Sequence, residues 1–271
     1  MILFPPCKIN LGLRVISKRE DGYHSLETLM FQLPFTDILE IVKAENFSIK
    51  TTGIEIQDSF ENNLCFKAYQ LLKKDFKIGN VSIHLHKNIP MGAGLGGGSA
   101  DGTYTLLLLN ELFELKLNND TLREYAAELG SDCPLFVEKS PQIATGRGEI
   151  LAPFSINLSG YYIHIINLGI HVNTKDAFSN LVLNQQKESI IETLKLPISD
   201  WKITLKNDFE TTVFEKYPEL KNLKTKLYQE GADYVSMTGS GSTIFAIKSQ
   251  KPSLLFENQK ENIIEKIVYI N

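Results

Sequence analysis

A glycine-rich segment carries the clearest chemical signal in this sequence. Residues 90–101 read PMGAGLGGGSAD, and five of the seven residues from Gly92 to Gly98 are glycine. Glycine at this density costs chain entropy, so it is expected where backbone turns sharply or closely approaches a ligand. Bare N–H groups ahead of a helix N-terminus attract phosphate. The segment is therefore predicted to bind phosphate, with a flexible turn as the alternative.

The segment differs from better-known nucleotide-binding patterns. A P-loop requires a lysine at the start of the helix, where this chain has Ser99 and Ala100. Gly92, Gly94 and Gly97 fit the spacing GxGxxG, but Pro90 intervenes and the preceding strand alternates polar and apolar residues. That match is weak evidence for a dinucleotide. The HRD and DFG strings of protein kinases do not occur.

The surrounding residues predict a mixture of strands and helices. Short β-rich runs cover residues 9–16, 37–42 and 81–86. A helix that is apolar on nearly all sides is predicted over 99–115, starting where the glycines end. A second helix, capped by Thr121, is predicted to stop at a left-handed Gly130.

The pattern restarts in the second half, so a domain boundary is placed near residue 155. The predicted elements there are a strand over 161–168, a helix from about 174, a strand over 201–205, a helix over 219–230, two strands around 237–242, and a final helix and strand. An antiparallel sheet backed by helices is the simplest packing for that order.

Composition narrows the possible functions. The 271 residues are 43% hydrophobic and 22% charged, and the net charge is −4, as in an ordinary globular protein of one large or two modest domains. Neither a membrane span nor a nucleic-acid partner is expected. The three cysteines are far apart and suggest neither a disulfide nor a zinc site. The first residues lack the features of a secretory leader, so a cytoplasmic location is predicted.

Three motifs together resemble one kinase family. They are PCKINL at 6–11, the glycine-rich segment at 90–100 and MTGSGS at 237–242. The chain resembles the GHMP kinases, named for galactokinase, homoserine kinase, mevalonate kinase and phosphomevalonate kinase. That resemblance implies an α+β fold of two domains: a ribosomal-protein-S5-like, ATP-binding N-terminal domain over 1–155 and a ferredoxin-like αβ C-terminal domain over 156–271.

Four further strings narrow the resemblance. They are DGYH at 21–24, GSDCP at 130–134, GRGE at 146–149 and NDFE at 207–210. Within the family they resemble the member that phosphorylates a cytidine-linked alcohol in the non-mevalonate route to isoprenoid precursors. Cys7 and Cys133 stand where small or aliphatic residues are common, and these departures leave the expected reaction intact.

The resemblance implies that Lys8 and Asp132 are the catalytic pair. Phosphoryl transfer requires positioning, charge stabilisation and a carboxylate that can accept the proton of the attacking hydroxyl. Asp132 suits the role of base. Lys8 can keep that carboxylate ionised and lower the cost of charge developing on the attacking oxygen. On local pattern alone, an aspartate after a helix-ending glycine is more often a turn or cap residue.

The resemblance also implies the binding residues. The residues expected at ATP are Pro90, Met91, Gly92, Ala93, Gly94, Leu95, Gly96, Gly97, Gly98, Ser99 and Ala100. Mg²⁺ is expected to bridge the phosphates with few protein ligands, Ser99 being the nearest candidate, while Asp101 is expected to cap or pack at the helix start. Tyr23, His24 and Phe178 are expected at the cytidine, and Asn10 either at the alcohol or bonded to nearby backbone.

Two other functions stay open at this point. One is another small-alcohol kinase of the same family, and the other is a noncatalytic nucleotide-binding module. A monomer or weak homodimer is expected.

Overall fold

The computed structural model describes residues 1–56, 59–179, 181, 189–256 and 262–271. These residues form two compact units, each assembled from several segments of the chain. The first unit comprises residues 1–7, 35–91 and 96–139, and the second comprises residues 8–34, 92–95 and 140–271. The predicted domain division at residue 155 stays a prediction.

The regular elements are numbered in chain order. The strands are β1 (Ile2–Leu3), β2 (Pro6–Lys18), β3 (His24–Thr36), β4 (Ile38–Lys43), β5 (Ser48–Gly53), β6 (Val81–Lys87), β7 (Gln142–Thr145), β8 (Ile150–Pro153), β9 (Tyr162–Asn167), β10 (Tyr234–Met237), β11 (Ile244–Lys248) and β12 (Ile264–Tyr269). The helices are α1 (Leu64–Phe76), α2 (Gly97–Leu112), α3 (Asn119–Leu129), α4 (Thr174–Ser179), α5 (Ile190–Leu194), α6 (Ile198–Thr204), α7 (Phe209–Lys216) and α8 (Pro218–Gln229).

The first unit is a four-stranded sheet packed with helices. Its strand order is β1-β4-β6-β5, with β5 parallel to β6 and the other pairs antiparallel. Val81, Ile83 and Leu85 of β6 are buried and alternate with half-buried polar residues. One face of the strand therefore supplies the core, as the alternation predicts.

Helix α2 is the central helix of the first unit and contacts α1, α3 and β4. Most of its residues are buried, which confirms the prediction of a helix enclosed by other layers. It begins at Gly97, two residues earlier than predicted. A Cβ on Gly97 would lie 2.8 Å from Ile89 Cγ2, so this first turn packs too tightly for a side chain.

The ends of α3 differ from the prediction. The cap is Asn118, whose Oδ1 accepts the N–H of Thr121 at 2.9 Å, so the predicted Thr121 cap is wrong. The helix does stop before Gly130, but this glycine has φ 166° rather than the predicted left-handed conformation. An Asn side chain satisfies the same free N–H groups that a Thr cap would.

The second unit contains two antiparallel sheets. One has the order β2-β3-β7-β8, and the other has the order β10-β11-β9-β12. In the latter, Ile244 of β11 lies opposite Ile166 of β9. The core of this unit includes both residues together with Leu13, Phe209 and Leu223.

One prediction for the second half is wrong. Residues 201–205, predicted as a strand, form most of α6 and its C-cap: Trp201 is buried, with its Nε1 donating to the Leu196 carbonyl at 3.0 Å, whereas Ile203 is 67% exposed. The alternation of apolar Trp201, Ile203 and Leu205 with polar residues therefore does not correspond to one buried face of a strand. The two strands predicted around 237–242 are β10 and β11, and most of that motif forms the turn between them.

The remaining elements agree with the pattern where they can be compared. The predicted helix near residue 174 is α4, and the predicted helix over 219–230 is α8. The predicted final helix falls partly on residues 257–261, which lie outside the described residues; residues 249–256 and 262–263 contain none. Within the part of the chain that is described, no helix has both the length and the apolar character needed to cross a membrane.

The cap of α3 gives the first testable prediction. Replacing Asn118 with Ala should lower the free energy of unfolding by about 1 kcal/mol, because a first-turn N–H loses its acceptor. Urea unfolding measures this change. Asn119→Ala and Thr121→Ala, at neighbouring positions, should each change the free energy of unfolding by less than about 0.5 kcal/mol. A larger effect at Thr121 would contradict the assignment of Asn118 as the cap.

Candidate active site

Lys8 and Asn10 are the buried polar residues of the candidate site in the second unit. They lie two residues apart in β2, so their side chains leave the same face of the strand. Both are almost fully buried, at 3% and 1% exposure, and Lys8 Nζ donates to Asn10 Oδ1 at 2.7 Å. Asn10 Nδ2 in turn donates to Thr28 Oγ1 at 3.0 Å. The amide therefore fixes the position of the ammonium group.

Thr238 joins this pair to the glycine-rich segment. Its hydroxyl accepts the Asn10 N–H at 3.1 Å, and it lies 3.1 Å from Asn10 Oδ1 and 3.0 Å from the Gly94 carbonyl. The Lys8 N–H donates to the Leu95 carbonyl at 2.8 Å. Residues from all three motifs of the sequence therefore meet around Lys8.

Two glycines permit this close approach. Gly94 has φ +77°, and a Cβ there would lie 2.1 Å from the Thr238 carbonyl oxygen. A Cβ on Gly239 would lie 3.2 Å from Gly94 Cα and 3.6 Å from Lys8 Nζ. Only glycine therefore fits at residues 94 and 239, where the glycine-rich segment and the 237–242 turn lie against each other near Lys8.

The string NDFE holds the 237–242 turn in place. Asn207 Nδ2 donates to the carbonyls of Met237 and Gly239, both at 2.8 Å, and Glu210 Oε1 accepts the Met237 N–H at 2.8 Å. Lys224 pairs with Glu210 Oε2 at 2.6 Å. The sequence singled out this string by resemblance, but its spacing gave no hint of this supporting role.

The part of the glycine-rich segment in the first unit opens onto α2. Gly96 has φ 70° and precedes the helix, and the Ala100 N–H donates to its carbonyl at 3.0 Å. Because Gly96 has no side chain, it cannot cap the first-turn N–H groups of α2. A helix start of this kind suits a phosphate group.

Asp132 lies in the first unit, directly before a 3-10 turn over Cys133–Val137. The carboxylate residue is half-buried. Thr103 of α2 donates to the Cys133 carbonyl at 2.8 Å, which anchors the turn to the helix that follows the glycines. Lys8 belongs to the second unit, so its pairing with Asp132 stays a prediction.

The thiol beside Asp132 is a packing group. Burial, together with the Asp132 carboxylate, raises the pKa of Cys133 to about 11, against the lowering effect of hydrogen bonds with Ser99 and Thr103. The thiol is therefore neutral at physiological pH and not a nucleophile. All three cysteines are buried free thiols.

Two of the residues expected at the substrate lie against each other. The rings of His24 and Phe178 stack with centroids 4.7 Å apart and planes 20° apart. Phe209 supports Phe178 edge-on at 4.6 Å. Tyr23 is 58% exposed, and the Arg147 guanidinium lies 5.0 Å above its ring. Arg147 comes from the string GRGE, to which the sequence reasoning gave no individual role.

A metal would find few protein ligands here. No group of three or more His, Cys, Asp or Glu residues suited to a metal ion occurs among the described residues. Ser99, the expected magnesium ligand, lies in the first turn of α2 and interacts with the Cys133 thiol.

Comparison with known proteins places this geometry in a family. The model of the GHMP kinases N terminal domain matches residues 63–139, and the model of the GHMP kinases C terminal domain matches residues 194–262. The chain belongs to the GHMP kinase family. The predicted α+β fold of that family is confirmed.

Two similar proteins carry the same name. A protein of Cytophaga hutchinsonii named 4-diphosphocytidyl-2-C-methyl-D-erythritol kinase is 47% identical over 95% of this chain and 96% of its own length. A protein of Bacteroides fragilis with the same name is 44% identical over 94% of both chains. The resemblance drawn from the short strings is confirmed.

Solved structures of kinases in this family have the same fold. A crystal structure of 4-(cytidine 5'-diphospho)-2C-methyl-D-erythritol kinase matches with a TM-score of 0.77 and 31% identity, covering 91% of this chain and 90% of that one. The mevalonate kinase of Methanococcus jannaschii matches with a TM-score of 0.71 and 13% identity, covering 100% and 98% of the two chains. The latter shows a shared fold alone.

The glycine contacts give the second prediction. Gly94→Ala should lower the free energy of unfolding by at least about 2 kcal/mol more than Gly92→Ala, because only at residue 94 would the Cβ collide with backbone. Gly92 is a matched control: its φ is also positive, at +64°, but a Cβ there would meet only the His171 ring at 3.5 Å. Equal losses by thermal or urea unfolding would contradict the close approach to Thr238.

Proposed function

We propose that this kinase transfers the γ-phosphoryl group of ATP to the 2-hydroxyl of 4-diphosphocytidyl-2-C-methyl-D-erythritol. Relatives that match nearly the full chain at 47% and 44% identity carry the name of this activity. The observation that carries the proposal is the network of Lys8, Asn10, Thr238 and Gly94, which gathers the three family motifs around one buried ammonium group.

Asp132 is proposed as the base of the reaction. Phosphoryl transfer depends mainly on in-line positioning and on stabilising the charge that develops in the transition state. A carboxylate directly before a rigid turn can accept the proton of the substrate hydroxyl as the new P–O bond forms. The turn is anchored to α2 by Thr103, which limits movement of this carboxylate.

Lys8 is proposed to stabilise negative charge. One of its contacts is the hydrogen bond from Nζ to the Asn10 amide oxygen, which orients the ammonium group in the buried site. Such a preorganised charge stabilises an anionic oxygen more strongly in a water-poor site than in solvent. Asn10 therefore has a positioning role toward Lys8, and contact with the alcohol stays a proposal.

ATP is proposed to place its phosphates against the glycine-rich segment and the first turn of α2. Mg²⁺, when bound, would neutralise part of the charge on the β and γ phosphates. The residues fit a magnesium ion that keeps most of its ligands from phosphate and water, with the Ser99 hydroxyl as the protein ligand.

The cytidine is proposed to bind at Tyr23, His24 and Phe178. Aromatic faces suit a nucleobase, and an imidazole can meet its polar edge. The stacked pair His24–Phe178 and the exposed Tyr23 ring lie in the same unit as Lys8. We further propose a cytoplasmic enzyme that acts as a monomer or weak homodimer on this small molecule, without a nucleic-acid partner.

A coupled assay of ADP release tests the substrate. Turnover with 4-diphosphocytidyl-2-C-methyl-D-erythritol and none with mevalonate or homoserine is expected. Turnover with mevalonate or homoserine alone would reassign the chain to another small-alcohol kinase of the family. Nucleotide binding with no turnover on any alcohol would favour a noncatalytic module.

The role of Asp132 gives the third prediction. Asp132→Asn should lower kcat by about 10²–10⁴-fold, the usual contribution of a general base, with a much smaller change in KM. Steady-state kinetics measures both constants. Asp120→Asn, which neutralises an exposed carboxylate of the same unit, should leave kcat unchanged, and near-normal turnover of folded Asp132→Asn would contradict the role.

The role of Lys8 gives the fourth prediction. Lys8→Met keeps most of the side-chain length but removes the ammonium group, and should lower kcat by about 10²–10³-fold. Lys18→Met changes an exposed lysine on the same strand and should retain activity. A variant at Lys8 with a native circular dichroism spectrum and unchanged kcat would exclude the proposed charge stabilisation.

A further inference from the structure

A buried cluster of three charged residues lies in the first unit, apart from Lys8 and Asp132. Lys87 Nζ donates to Asp37 Oδ2 at 2.5 Å and to Asp101 Oδ2 at 2.7 Å. The three residues are exposed by only 1%, 0% and 2% respectively. The sequence reasoning expected Asp101 to cap or pack at the helix start and gave Lys87 and Asp37 no role.

The cluster is not expected to contribute much to the stability of the fold. One ammonium faces two carboxylates, and Asp101 Oδ1 has no hydrogen-bond partner among the residues that the structure describes. Burial raises the pKa of Asp101, with Asp37 adding to the rise, although Lys87 opposes it. Apolar side chains in place of a buried charge cluster often leave a protein equally or more stable. A role in positioning explains the arrangement better.

Asp37 holds the chain that enters the glycine-rich segment. Its Oδ1 accepts the backbone N–H groups of Asn88 and Ile89 at 2.6 and 2.9 Å. The Asn88 amide donates to the Thr36 carbonyl at 3.0 Å. The two residues directly before Pro90 are therefore tied to the residues just before β4.

Asp101 holds the chain that leaves the segment. It lies in the first turns of α2, four residues after Gly97. A Cβ on Gly97 would lie 3.3 Å from Lys87 Nζ, so the ammonium group is in close contact with the start of the helix. Lys87 itself is the last residue of β6.

We propose that Lys87 is a positioning residue for ATP, joining the entry and exit of the glycine-rich segment through Asp37 and Asp101. The link fixes the distance between Ile89 and the first turn of α2, and so limits the conformations open to the seven residues between Ile89 and Gly97. A loop ordered before binding loses less entropy when phosphate is bound, which increases affinity. This inference rests on the proposed use of the segment for ATP.

The test variant is Asp101→Ala. It cuts the link to α2 but leaves one ammonium beside one carboxylate, so no uncompensated charge is buried. We expect KM for ATP to rise about tenfold, while KM for the cytidine-linked alcohol and kcat change by less than threefold. Asp101→Asn keeps an oxygen that can accept from Lys87 and should restore most of the ATP affinity.

The matched control is Asn80→Ala. Asn80 directly precedes β6, at the end of the strand opposite to Lys87, and bonds Lys73, Tyr69 and the Glu45 carbonyl. Its loss should lower thermal stability without changing KM for ATP. A second variant, Asp37→Asn, keeps an acceptor for the two N–H groups but turns an amide donor toward Lys87, and should weaken ATP binding as Asp101→Ala does.

The outcomes separate this inference from the proposed function. Absence of turnover by the wild-type enzyme would overturn the function itself. An active wild type with unchanged KM for ATP in both Asp101→Ala and Asp37→Asn would overturn the role of Lys87 alone. Failure of both variants to fold, or an equal rise of KM in Asn80→Ala, would assign the cluster to general stability and also overturn it.

Discussion

The buried ammonium group of Lys8 is the constraint on which the second unit depends. Burying a lysine at 3% exposure carries a desolvation cost, and one of its hydrogen bonds goes to the amide oxygen of Asn10. The Asn10 amide is itself held at both ends: its Nδ2 donates to Thr28 Oγ1, and its Oδ1 also lies within hydrogen-bond distance of the Thr238 hydroxyl.

The residues around Lys8 are constrained in turn by close packing. A side chain at Gly94 would collide with the Thr238 carbonyl and one at Gly239 would crowd Gly94, while Asn207 and Glu210 fix the backbone on which Gly239 lies. The hydrogen bonds of these two side chains go to backbone groups of the turn after β10. The glycines and the polar residues around the site therefore form one mutually dependent arrangement rather than separate motifs.

Local patterns in the sequence predicted some elements well and others poorly. The unbroken apolar run of α2 could mean only an enclosed helix, yet its start at Gly97 was missed because glycine is a poor helix former and the packing of Ile89 is not visible locally. Trp201, Ile203 and Leu205 imitate a strand, but only the tertiary structure shows that Ile203 faces solvent. Lys8 and Asn10 were found through family resemblance. Their contact with Thr238, 228 residues beyond Asn10, and the bonding of Lys87 to Asp37 and Asp101 depend on long-range topology that spacing cannot reveal.

The stacking of Phe178 on His24 changes what recognition of a nucleobase would involve. These two rings already stack on each other, with centroids 4.7 Å apart. A nucleobase inserted between them would make two new stacking contacts, but the contact between His24 and Phe178 would be lost. The net affinity from stacking is then the gain from the contacts of the base with the two rings minus the loss of the contact between the rings. Apolar guests without a matching polar edge would gain little from that exchange.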